Sequence, residues 1–163
     1  MNINSTTYDA IIRAIAPGIQ PVVEGDARAI IQLAELAVGI DLKEDSEERA
    51  TLDTLARHVC ANGGIDRSSV PPVSPLPEGP EERRTWLRRL ARGIDSPVAR
   101  ALAYALTYVV IVSNGEIGPA ESVLLEDLRE MLAIGTDRAA ELVENVSEAI
   151  TPGMTELRAQ LTN

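Results

Sequence analysis

Residues 28–60, RAIIQLAELAVGIDLKEDSEERATLDTLARHVC, lie without a gap over residues 101–133, ALAYALTYVVIVSNGEIGPAESVLLEDLREMLA, at an offset of 73 positions. Leu33 falls on Leu106, Glu48 on Glu121, Leu52 on Leu125 and Leu55 on Leu128. In each copy an apolar run enters an acidic loop, and a glutamate closes the loop at the start of an amphipathic helix. The chain therefore reads as one helix–loop–helix unit written twice, over about 26–61 and 97–134.

Working outward, the remaining segments also carry helical spacing. Tyr8, Ile11, Ile12 and Ile15 share one face of a helix expected over Ser5–Ala16, which stops before Pro17-Gly18. Asp26 is positioned to cap the second helix, with Ile30, Leu33, Ala34 and Ala37 inward. Asp45, three residues before Glu48, has capping-box spacing for a third helix over about Ser46–Cys60. Pro80 opens a fourth helix with Trp86, Leu87 and Leu90 inward, and Ser96-Pro97 opens a fifth. The run Val98–Val112 is apolar nearly all round and is expected at the centre of the bundle. Gly118-Pro119 opens a sixth helix with Val123, Leu124, Leu128 and Leu132 inward. A seventh starts at Thr136 or Asp137, buries Leu142, Val143 and Val146, and is expected to end at Pro152-Gly153, with one more short turn over Met154–Leu161. The fold class is all-α, a bundle of about seven helices in a single domain over 1–163.

Between the halves, residues 62–79 contain adjacent glycines and four prolines, Pro71, Pro72, Pro75 and Pro77, and read as a linker. A net charge of −10 argues against nucleic-acid binding and permits cation attraction. The longest apolar run is too short to span a bilayer and carries Arg100, so no membrane insertion is expected. The start, MNINSTTYD, has neither a basic segment nor an apolar one of the signal-peptide kind, which points to a cytoplasmic protein. Cys60 is the one cysteine, which excludes an internal disulfide and any multi-cysteine zinc site.

Polar chemistry recurs in register only in the two loops. The first reads Asp41-Leu42-Lys43-Glu44-Asp45-Ser46-Glu47-Glu48, the second Asn114-Gly115-Glu116-Ile117-Gly118-Pro119-Ala120-Glu121. Each places an Asx residue seven positions before the shared glutamate. Two readings fit these residue types. The Asx supports a turn and the glutamate complements a helix N-terminus, or the oxygens gather a hard divalent cation such as calcium or magnesium. Neither loop is an EF-hand: Lys43 stands at a ligand position, Ser46 replaces the turn glycine, and Leu52 and Leu125 replace the bidentate glutamate.

The segment SNGEIGPAE, Ser113–Glu121, resembles the A-D-G-x-I-x-x-x-E signature of the tellurite-resistance TerB-like family. Ile94–Val112 is similar to that family's lead-in helix and Leu124–Gly135 to the helix that follows, while the first half matches more loosely through Asp41 and Glu48. The resemblance implies an all-α fold of about seven helices in a bacterial stress response, with acidic clusters proposed to bind metal. It carries a divalent-metal role onto Asp41, Glu48, Asn114 and Glu121, with Glu44 and Glu116 as neighbours. The chain departs from the pattern at Asn114, where the family has aspartate, and at Leu42, where it has glycine.

Helix four crowds five arginines into ten residues, and Arg84, Arg88 and Arg92 recur at i, i+4 and i+8. This stripe is either a solvated face or a surface for protein partners or self-association. No nucleophile elbow, phosphate-binding loop, dinucleotide-binding loop or E-x-x-H pair appears. His58, the lone histidine, sits one turn after Leu55 and reads as a packing residue. The expectation is a non-enzymatic TerB-like module that binds divalent metal through its loops. The alternatives are a metal-free scaffold domain and a metal-assisted hydrolase using the loop carboxylates.

Overall fold

A computed structural model describes residues 3–15, 22–40 and 45–161, with side chains through Thr151. These residues form α1 (Ser5–Ile15), α2 (Glu24–Ala37), α3 (Ser46–Gly63), α4 (Pro80–Ala91), α5 (Pro97–Val112), α6 (Pro119–Met131) and α7 (Thr136–Leu161), with a short 3-10 turn at Arg67–Ser69. No strand occurs among the described residues, so the chain is an all-α bundle. The 73-residue offset survives in the helix starts: α2 and α5 begin at Glu24 and Pro97, α3 and α6 at Ser46 and Pro119.

The apolar spacing decides the packing. α1 buries Tyr8, Ile11, Ile12 and Ile15, the face its sequence marks. α5 touches α1, α2, α3, α6 and α7, and its broadest contact is with α2. A helix with so many neighbours has few positions left for water, which is why its sequence is apolar nearly all round. Equivalent positions of the two repeats are buried together, Leu33 with Leu106 and Leu55 with Leu128. At the end of α3, a Cβ on Gly63 would lie 2.9 Å from Ala27 Cβ, so α3 approaches α2 closely because Gly63 has no side chain.

Four expectations need correction. Asp26 does not cap α2; the helix begins at Glu24, and Asp26 lies inside its first turn, buried. Burial raises its pKa, while a hydrogen bond from the Asp95 backbone N–H opposes the shift. Val123 points outward at 52% exposure, because Glu121, Leu124 and Leu128 define the buried face of α6 and Val123 stands 100° from Leu124. Trp86 is half-buried at the edge of α4, where the Arg89 guanidinium lies 5.5 Å from its ring centroid. α7 does not end at Pro152-Gly153 but runs on to Leu161. Pro152 removes one intrahelical donor, and the Thr151 hydroxyl just before it bonds back to the Ser147 carbonyl at 2.6 Å.

The 62–79 segment joins the halves, yet it is no free tether. α3 extends into it as far as Gly63, and Val70 and Val73 are buried in the core. Two residues of α2 hold it by its backbone. Gln32 Nε2 donates to the Pro71 carbonyl at 2.9 Å, and Val73 N–H donates to Glu35 Oε2 at 3.1 Å. Glu35 is itself buried, with Arg49 Nη1 3.8 Å away, so the segment is a strap across α2.

Candidate functional site

The site expected at the loops is built from the starts of α3 and α6 and the turn after α5. Asp45 caps α3: its Oδ1 accepts from Glu47 N–H at 2.7 Å and from Glu48 N–H at 3.4 Å. That cap fixes the first turn and turns Glu48 inward, to 3% exposure. After α5, Asn114 Oδ1 accepts from Glu116 N–H at 3.0 Å, an Asx turn completed by Gly115 at φ +91°. The Asn114 amide then reaches the other repeat, where its Nδ2 donates to Glu48 Oε1 at 2.8 Å.

Glu121 occupies the position equivalent to Glu48 and is equally buried, but its partner differs. Its Oε2 accepts from Gly118 N–H, the backward half of a capping box. Gly118 makes room for this, since a Cβ there would lie 3.3 Å from that oxygen. Glu116 is exposed on the loop. Asp41 and Glu44, the other two candidate ligands, lie outside the described residues.

Asn114 was expected beside Glu121, within its own repeat. Its amide bonds to Glu48, so the two loops meet across the repeat boundary. A hard cation needs several oxygens aimed at one point. The Asn114 oxygen faces Glu116 N–H, its NH2 faces Glu48, and Glu121 faces Gly118 N–H. These groups are oriented toward hydrogen-bond donors, and among the described residues no three His, Cys, Asp or Glu side chains gather as a metal site. Glu48, Asn114 and Glu121 are thus each engaged in a hydrogen bond within the chain.

The other candidates are used in packing. His58 stacks on Tyr8, with ring centroids 4.9 Å apart and planes inclined by 15°. Burial pushes the Tyr8 hydroxyl up to about 12, only partly offset by the Asn62 side chain. Arg84 does not belong to a free stripe: it pairs with the buried Asp127 and, at 3.4 Å, with Glu130, tying α4 to α6. Arg88 and Arg92 are exposed and form no ion pair among the described residues.

The strap contacts of Gln32 and Glu35 were missed in the sequence, although a glutamate within the apolar run IIQLAELA is a signal that a buried donor awaits it. No protein-family model, curated protein or solved structure matches the chain.

Proposed function

We propose that this chain is a non-enzymatic, TerB-like helical module of the tellurite-resistance stress-response kind, acting by binding a protein partner. Glu48 and Asn114 serve as an internal clasp. The observation that carries this reading is the Asn114–Glu48 hydrogen bond at 2.8 Å, which engages one loop residue of each repeat in joining the two. Support comes also from the all-helical fold, from helix starts that keep the repeat offset, and from His58, which is engaged in a stack. The outward chemistry left on α4 is the Arg88 and Arg92 face, suited to an acidic protein surface.

A double-mutant cycle tests the clasp. Glu48→Gln and Asn114→Ala should each destabilise the fold, with a coupling of about 1–2 kcal/mol between them, as for a hydrogen bond to a buried charged group. The same denaturation curves, repeated on chelator-treated protein with millimolar calcium, magnesium, manganese or zinc, should not move. A cation-dependent rise in Tm that Glu48→Gln abolishes would replace the clasp with the metal-binding reading.

A further inference from the structure

A cleft of about 380 Å³ opens where the end of α1, the first turn of α5 and the α6–α7 turn meet. Its walls are largely apolar, with Ile15, Val98, Ala101 and Leu132, and two arginines, Arg100 and Arg138, line it. Arg100 is the one charged residue in α5, the helix that is otherwise apolar along its whole length. It is partly buried, on the side of α5 that lines the cleft.

Both arginines are anchored by backbone carbonyls. Arg100 Nε donates to the Ile94 carbonyl at 2.9 Å, and Arg138 Nη2 donates to the Ile15 carbonyl at 3.0 Å. Each anchor consumes one of five N–H donors. Neither Nη of Arg100 has an acceptor among the described residues. Arg138 Nη1 lies 2.8 Å from Glu141, a pair with both partners largely in water and therefore weak. Asp26 lies near enough to Arg100 for that charge to act on its carboxyl. Asp26 and Glu141 thus offset part of the guanidinium charge, which disfavours a polyanion.

We propose that this cleft binds a small organic carboxylate, its charged end taken by the Arg100 and Arg138 guanidiniums and its hydrocarbon laid on the apolar wall. Planar guanidinium donors match a carboxylate in geometry. A volume of about 380 Å³ falls in the range of small-molecule sites. The first turns of α5 and α7, which border the cleft, add a favourable field for an anion. The site is remote in sequence from the loop clasp and does not depend on it.

Hexanoate is the probe, with hexan-1-ol and acetate as controls that lack the charge and the tail. In amide-resolved NMR titrations, hexanoate should shift residues 98–101 and 132–138 saturably, and each control should bind at least about tenfold more weakly. Arg100→Gln should weaken hexanoate by about tenfold or more, the scale of a lost charge-assisted hydrogen bond. Val98→Asp is the second variant. Val98 is 44% exposed in the first turn of α5, where an acid favours the helix, so the fold should persist while the new charge repels hexanoate. No saturable shift at millimolar hexanoate, equal binding of hexan-1-ol, or wild-type affinity in Val98→Asp would overturn the proposal.

Discussion

Tyr8 is a single residue whose environment has a measurable consequence in alkali. Its ring is buried against His58, and its hydroxyl is buried beside the Asn62 side chain without a well-formed hydrogen bond to it. Phenolate formation in that setting is penalised, so the folded-state pKa rises from 10 to about 12. Below pH 10 the phenol is protonated in both states and the contribution is fully present. Between pH 10 and 12 the unfolded chain releases the proton and the folded chain keeps it, so stability falls as pH rises. The loss should reach about 2–3 kcal/mol by pH 12. The chain has one lysine, Lys43, and the other groups that burial raises in alkali, Tyr104 and Cys60, add slopes of the same sign. Tyr8→Phe should flatten the slope and, by deleting an unpaired buried hydroxyl, leave neutral-pH stability unchanged or raise it by about 1 kcal/mol. Urea midpoints at pH 7, 10 and 11.5 measure both effects.

Among the elements, α6 shows both a correctable strain and the reach of sequence reasoning. It closes with Ile134 N–H on the Arg129 carbonyl at 3.0 Å and Ala133 N–H on the Glu130 carbonyl at 3.0 Å. This ending puts Ala133 at φ +55°, a conformation that costs a residue with a Cβ about 1 kcal/mol. Ala133→Gly should therefore stabilise the protein by about 0.5–1 kcal/mol, read as a higher urea midpoint with unchanged m. On the same helix, Leu128→Ala should cost about 2–5 kcal/mol, because Leu128 is fully buried. Leu124, Leu128 and Leu132 were legible as core because helical periodicity repeats along the element, whereas Val123 was misassigned because apolarity alone does not fix a face. The starts of α3, α5 and α6 were legible from Asp45, Pro97 and Pro119, which act locally. What stayed hidden was non-local. The strap on Glu35, the reach of Asn114 to Glu48, and the Arg84–Asp127 pair join positions more than 35 residues apart, and no local spacing encodes them.

Across the molecule, charge divides between pairs that hold helices together and a face without ion pairs among the described residues. Arg84→Gln leaves Asp127 buried beside an empty position, so it should cost about 1–3 kcal/mol. Reversing all three arginines of the stripe would mix that loss with any effect on binding. The informative variant is Arg88→Glu with Arg92→Glu, since both residues are exposed and form no ion pair among the described residues. Its unfolding midpoint should match wild type, each exposed charge contributing less than about 1 kcal/mol. A complementary surface exists on the chain itself. Asp137, Glu141, Glu144 and Glu148 are exposed on α7 at spacings of four, three and four, one face of a helix. Contact between an α4 face and the α7 face of a second copy would join unlike surfaces, which builds rings or chains rather than closed dimers. Sedimentation of wild type at low ionic strength should therefore show mass that grows with concentration, dispersing as salt approaches 1 M, where the screening length is about 3 Å. The double variant should sediment as monomer at every salt concentration. Identical profiles for the two proteins would leave Arg88 and Arg92 as solvated charge and move the partner surface elsewhere.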